Sequence, residues 1–250
     1  MSHIQLSGIP DIPEISPGDD LAALILASVA SHGIGIQAGD VFVVAQKVIS
    51  KAEGRLVRLA DIEPSALARQ IAAPRGGDPR FVEIVLRESK AIVRMNDRLL
   101  ITETHHGFIC ANAGVDRSNV ADAQTVALLP VDPDDSARRL AAALTQSLGC
   151  QLAVIITDTF GRPWREGLTN VAIGVAGISP VEDFRDQPDD FGRTMKATVL
   201  ATADEIAAAS GLIMRKTRRQ PVVLVRGVQA DMREGAAAEL IRHRTDDLFR

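Results

Sequence analysis

The stretch that most restricts the fold is residues 154–167, VIITDTFGRPWREG. Val154, Ile155, Ile156 and Thr157 are apolar or β-branched, stiff at χ1, and make a buried strand. That strand delivers Asp158 and Thr159 to a turn punctuated by Gly161 and Pro163. A carboxylate and a hydroxyl at the carboxyl end of a buried strand can hold a divalent cation against a ligand. The plainer alternative is that Asp158 caps the turn, as Asp-Thr pairs commonly do.

The rest of the chain supplies neighbours for this strand. Further strands are expected at residues 41–47 (VFVVAQK), continuing through 48–51 to a turn at Glu53 and Gly54, and at 55–59. Residues 91–95 and 99–104 read as a hairpin turning at Asn96 and Asp97, and 108–112, 170–178 and 221–226 as single strands. Helices are expected after Asp19 and Asp20 as far as Gly33, at 64–72 and 79–88 with prolines near their starts, and at 136–148 between an Asp132–Asp135 cap and Gly149. A capping box at Thr202–Glu205 opens another, running to Met214. Residues 179–193 form an acidic loop, 215–219 a basic connector, and the tail is expected to end in a helix. No regular βαβ rhythm, internal repeat or low-complexity linker occurs. A mixed α+β or irregular α/β fold is therefore favoured over a doubly wound sheet. At 250 residues the chain is one unit with a real core, or two intimate subdomains.

Composition removes several function classes. An apolar fraction of 46% with 24% charged residues is that of a soluble globular protein. The net charge of −4 argues against bulk nucleic-acid or anionic-membrane binding. No apolar run is long enough for a membrane span, and the N-terminus lacks a signal peptide's regions, so a cytoplasmic location is expected. Cys110 and Cys150 read as buried thiols of a reducing compartment. One Trp and no Tyr leave no aromatic platform for stacking bases.

Two nucleotide signatures are decoys. The spacing Gly33, Gly35, Ala38 follows a helix and precedes a strand, the reverse of a dinucleotide fingerprint. Gly211–Thr217 ends in Lys-Thr but lacks the phosphate loop's second glycine, so neither a Rossmann nor a P-loop fold is expected. His105 and His106 face opposite sides if extended and cannot easily share one ion. There is no Gly-x-Ser-x-Gly elbow and no zinc-spaced Cys/His set. Lys47 and Lys51, four apart in an extended run, share a face and can converge on one anion, or both can simply be solvated. In residues 107–120, GFICANAGVDRSNV, a strand breaks at Asn112-Ala113-Gly114 and offers Asp116, Ser118 and Asn119 on one polar loop. Asp116 could join Asp158 on a cation, or form an Asx-turn without a ligand. Arg215, Lys216, Arg218 and Arg219 cluster at a helix end, where the dipole favours them and where phosphate binding is the sharper reading.

Taken together, GIPDI (8–12), AQKVISKAEGR (45–55), NAGVDRSNV (112–120), ITDTFGRPWREG (156–167) and ADEIAAA (203–209) resemble the coenzyme F420-0:L-glutamate ligase family of γ-glutamyl ligases. The matches fall in order along essentially the whole chain. Some bacterial members continue into a flavin-binding reductase-like domain, so this sequence resembles the ligase unit alone. The resemblance implies a family-specific α/β fold forming an intertwined homodimer. It implies GTP-dependent addition of L-glutamate to the lactyl carboxylate of F420-0, with Mg2+ or Mn2+, two such ions, and K+ as a further cation. Carried over by position, Gly8, Ile9, Pro10, Asp11, Gln46, Lys47, Lys51 and Asn119 would line the GTP. Asp116 and Asp158 would hold one cation and Thr159 a second. The departure is MRKTRRQ (214–220), basic where archaeal members carry a glycine-rich acidic segment that contributes to GTP and the second metal. The second cation is then held differently, or Lys and Arg supply part of its charge.

The expected chemistry is phosphoryl transfer from GTP to the acceptor carboxylate, then displacement of phosphate by glutamate's amine, with cations and lysines neutralising the transferring group. No general base stands out. Two rivals are a non-catalytic binder of a phosphorylated metabolite or F420 precursor, and a structural dimerisation module. The convergence of Asp116, Asp158 and two lysines speaks against the second.

Overall fold

The computed structural model describes residues 3–118 and 122–248. In chain order the elements are β1 (Gln5–Gly8), α1 (Leu21–Ser31), β2 (Val41–Ala45), α2 (Gln46–Ala52), β3 (Leu56–Arg58), α3 (Ala66–Ala72), α4 (Pro79–Arg87), β4 (Ser89–Met95), β5 (Leu100–Thr104), β6 (Ile109–Ala111), β7 (Thr125–Ala127), α5 (Pro133–Leu148), β8 (Ala153–Arg162), β9 (Arg165–Ala176), β10 (Glu182–Asp183), β11 (Val199–Leu200), α6 (Thr202–Met214) and β12 (Val222–Arg226). The fold is a mixed α/β arrangement, as expected, around a five-stranded sheet in the order β1-β12-β2-β8-β9. Within it only β2 and β8 run parallel.

Alternation along the strands divides the core. Phe42, Val44, Val154, Ile156 and Leu224 point to one face and pack with Ile25 of α1 and Leu140 and Leu144 of α5. Val41, Val43, Ile155, Val223 and Val225 point to the other and pack with Ala203, Ile206 and Ala207 of α6. Both faces are covered, which is why these strands read as continuous apolar runs. Helix α5 starts at an Asp132 cap that accepts from the Asp135 amide and ends at Gly149 with φ 69°. It lies so close to β9 that a Cβ on Gly174 would strike the Pro133 carbonyl. Smaller sheets, β4-β5-β6 and β3-β7, surround a separate cluster that includes Leu59, Val85, Leu100, Val126 and Leu128.

Four elements differ from the sequence expectation. The strand expected to continue to Lys51 ends at Ala45, and residues 46–52 are helical. The Ala45 amide takes the Pro221 carbonyl, the neighbouring strand β12 goes no further, and the chain satisfies its own amides by coiling. Strand β8 does not turn at Gly161. It pairs with β9 through Asp158↔Val171 and Thr159↔Asn170 out to Arg162↔Arg165, and the reversal comes at Pro163 and Trp164, the latter at φ 63°. The capping box at α6 does not form: its N-cap is Ala201, and Asp204 instead accepts the Ala172 amide of β9. The described tail carries two 3-10 turns, Ala237–Leu240 and Arg244–Asp246, in place of a helix. Cys110 and Cys150 are free thiols. Among the described residues no helix is long and apolar enough to cross a membrane.

Candidate functional site

Three segments meet at the β2 and β8 end of the central sheet. Helix α2 starts there and presents Lys47 in its first turn. The segment after β6 takes three successive left-handed residues, Asn112 (φ 53°), Ala113 (φ 54°) and Gly114 (φ 70°). Gly114 is required twice over, by its φ and because a Cβ there would lie 2.8 Å from the Leu129 side chain. The reversal brings Asp116 beside β7, where its amide and carbonyl both pair with Ala127. Its carboxylate is then held by Lys47, by the Ser118 amide and by the Ser118 hydroxyl, which donates to Oδ2 at 2.8 Å. Lys47 Nζ donates to Asp116 Oδ2 at 2.6 Å, to the Ser118 carbonyl at 2.6 Å and to Ser118 Oγ at 2.8 Å. The Ser118 amide donates to Asp116 Oδ1 at 2.7 Å. Burial opposes ionisation of Asp116, but these bonds prevail and hold it below the usual carboxylate range.

Asp158 is partly buried on β8 and has no such support. Burial pushes its pKa up to about 6, the neighbouring Asp116 adds to the rise, and the Thr159 amide, Lys216 and Lys47 oppose it. Cys110 of β6 also lies near: burial, with Asp158 adding, pushes its thiol up to about 12, so it stays protonated and is no nucleophile. Thr159 follows Asp158 on β8, and Lys216 lies near both. The Thr159 hydroxyl donates to Asn170 Oδ1 at 3.0 Å and accepts from Lys216 Nζ at 2.7 Å.

The donor set fits a hard divalent cation. Two mutually repelling carboxylates would each be relieved by it, and Mg2+ or Mn2+ takes one or two carboxylates with phosphate oxygens completing its shell. Among the described residues no group of three or more His, Cys, Asp or Glu is placed to hold a metal ion.

The structure thus brings Lys47, Asp116, Asp158 and Thr159 to one place. It does not gather all the other residues. Gly8 ends β1 against the Gln220 side chain, Ile9 is wholly buried, and Pro10 and Asp11 face Arg218–Gln220 across a cavity. Gln46 is buried and its amide nitrogen donates to Ser50 Oγ and the Leu128 carbonyl. Lys51 lies on the same helical face as Lys47, four residues on, but its ammonium pairs with Glu14. Asn119 lies outside the described residues. His105 and His106 bond through Nε2 to the backbone carbonyls of Arg87, Pro130 and Val131.

Sequence reasoning missed Lys216 as a partner of Thr159. The basic connector pointed to it, but only folding decides which of four cations reaches β8.

The raised Asp158 pKa predicts a pH dependence. A carboxyl that titrates at about 6 when folded and near 3.8 when unfolded adds stability below the lower value and loses it as pH rises through about 6. Metal-free protein should therefore melt at lower temperature at pH 7.5 than this group would allow at pH 5. Mg2+ should restore more stability at pH 7.5 than at pH 5, because protons compete for the same oxygen. Thermal melts with and without Mg2+ across pH 4.5–8 check both signs.

Comparisons with known proteins identify the family. The profile of the F420-0:gamma-glutamyl ligase family matches residues 10–227. The chain is 43% identical over 250 residues to the coenzyme F420:L-glutamate ligase of Methanothermobacter thermautotrophicus, covering 99% of both chains. It is 43% identical to the protein of that name from Methanopyrus kandleri, over 99% of this chain and 98% of the relative. With that of Methanocaldococcus jannaschii it shares 40% identity over 86% of each. The matched region spans most of the chain, and this chain belongs to the F420-0:gamma-glutamyl ligase family.

Proposed function

We propose that the protein joins L-glutamate to coenzyme F420-0 in an amide-forming reaction driven by GTP, with further γ-glutamyl additions in F420 biosynthesis. The observation that carries this reading is the meeting of Asp116 and Asp158 with Lys47 and Lys216 at one sheet end. That constellation suits a transferring phosphoryl group, whose catalysis is positioning and charge neutralisation more than covalent chemistry. A bound Mg2+ or Mn2+ would neutralise phosphate charge, held by Asp116 and Asp158.

In the first step an acceptor carboxylate oxygen forms a bond to the γ-phosphorus as the bond to the GDP oxygen breaks. Lys47 keeps Asp116 ionised and aimed, and Lys216 places a positive charge beside Thr159, where the charge of a second cation is expected from the family resemblance. Glutamate's amine nitrogen then attacks the acyl carbon, inorganic phosphate leaves, and the amine proton passes to solvent. The buried, protonated Cys110 takes no part as a nucleophile.

A homodimer belongs to the same proposal. The β8–β9 hairpin tip exposes Trp164 (87%) and Leu168 (67%), and Leu212 of α6 is exposed as well. Apolar groups so displayed suit burial against another copy of the chain. Leu168→Arg should shift the sedimentation coefficient from dimer to monomer; an unchanged dimer would remove the hairpin from the interface.

The reaction is tested by incubating the protein with F420-0, L-glutamate, Mn2+ and GTP and weighing the product. A mass gain of one or more glutamyl units with matching GDP release is expected. No gain would overturn the proposal.

A further inference from the structure

Helix α6 is set so close to β9 that a Cβ on Gly211 would lie 3.2 Å from the Asn170 side chain. Near its end Met214 is buried, and its sulfur accepts from Asn170 Nδ2 at 3.7 Å. Arg215 then stops the helix at φ 48° and ψ 176°, a conformation that residues bearing a side chain rarely adopt. Its own guanidinium turns back to the Leu212 carbonyl. The break redirects the chain, and the next residue, Lys216, sets its ammonium 2.7 Å from Thr159 Oγ1. A packed helix end and a strained backbone deliver this charge, which distinguishes it from a lysine that merely lies on the surface.

The Thr159 hydroxyl is largely committed. Its proton goes to Asn170 Oδ1 at 3.0 Å and one lone pair to Lys216, which leaves a single lone pair. The family resemblance puts a second divalent cation on this oxygen. Mg2+ binds oxygen at about 2.1 Å, so such an ion would lie within about 5 Å of the ammonium, like charge against like charge. Asp116 and Asp158 are already called on by the first cation. The surroundings of Thr159 therefore do not fit a second ion, because the position beside it already holds a positive charge.

We propose that the Lys216 ammonium takes the place of a second divalent cation, so that this chain binds a nucleoside triphosphate with one metal ion. This rests on the nucleoside-triphosphate reading of the site. An ammonium has three donors, and Thr159 takes one, which leaves two for oxygens of the γ-phosphoryl group. The charge is compact and sits on a covalent stem, so it is in place at every metal concentration. A dissociable ion fills its position only near or above its dissociation constant.

Counting bound ions tests this. The full chain, equimolar with the non-hydrolysable analogue guanosine 5′-(β,γ-imido)triphosphate, is titrated with Mn2+, and bound ions are counted by electron paramagnetic resonance. Wild type, Lys216→Glu and Lys216→Met are compared; position 216 is exposed, and melting temperatures verify that both variants fold. Wild type is expected to hold one Mn2+ per chain, with the spectrum of an isolated ion. Lys216→Glu exchanges the ammonium for a carboxylate of similar reach and should hold two, their spectrum broadened by coupling between neighbouring ions. Lys216→Met keeps the stem without the charge and should bind the analogue about tenfold more weakly in calorimetry, the loss of one charge-assisted hydrogen bond. Two ions on wild type, one ion on Lys216→Glu, or unchanged analogue affinity in Lys216→Met would each overturn the proposal while the nucleotide reading stands. Failure of wild type to bind the analogue would overturn both.

Discussion

Asp158→Asn should lower glutamylation by about 10²–10³-fold and yet raise the melting temperature of the metal-free protein. The two effects have one cause. Asp158 is half-buried, faces Asp116, and ionises only at about 6, so at pH 7 the folded protein carries a charge it disfavours. A rise from 3.8 to about 6 corresponds to about 3 kcal/mol. Asn keeps the shape and removes the charge but still buries an amide, so a gain of about 1 kcal/mol, or roughly 2–4 °C, is the realistic expectation. The same charge is what a divalent cation requires. Loss of activity with a gain in stability is the signature of a ligand site, since a structural cap would lose both. Single-turnover assays and calorimetric melts measure the pair, and full activity in the variant would take Asp158 out of the phosphate site.

Lys47→Met should cost about as much activity, roughly 10²-fold, by a different route. Lys47 spends its three donors on Asp116 and Ser118, and this network holds the loop after β6 against α2. Without it Asp116 loses the partner that lowers its pKa, and Asp116 and Asp158 face each other unscreened. One carboxyl should then stay protonated to higher pH, so the rate against pH should rise at a higher value in Lys47→Met than in wild type. Methionine retains the packing of the lysine stem and isolates the charge. A pH profile displaced in neither direction would mean that Lys47 acts on the loop's shape alone.

The buried strands, the mixed α/β class and the ends of α1 and α5 were legible because local chemistry decides them. Runs such as VFVVA and AVIIT can satisfy their side chains only inside a two-faced core, and Asp20, Asp132 and Gly149 cap their helices as isolated peptides would. The capping box at α6 was misread for the opposite reason: Asp204 had a better offer from the Ala172 amide across the sheet.

The site was half legible. Asp116, Asp158, Thr159 and Lys47 could be named from residue type and motif, since carboxylates and ammonium groups have few other uses beside buried strands. The pairing of Lys47 and Lys51 was expected from an extended run, and both do share a face, but the face is that of a helix and Lys51 turns to Glu14. Four cations stood in a row at residues 215–219, and no periodicity could say that Lys216 would reach Thr159 while Arg218 and Arg219 turned to the loop after β1.

Local sequence therefore settled which residues could carry charge and which had to be buried, because burial and capping are short-range matters. Only the tertiary structure decided distance: how near Asp116 comes to Asp158, and how far both lie from Asp11 and Arg218. The second separation is set by strand order, β1-β12-β2-β8, which joins segments more than 200 residues apart and leaves no trace in any one of them.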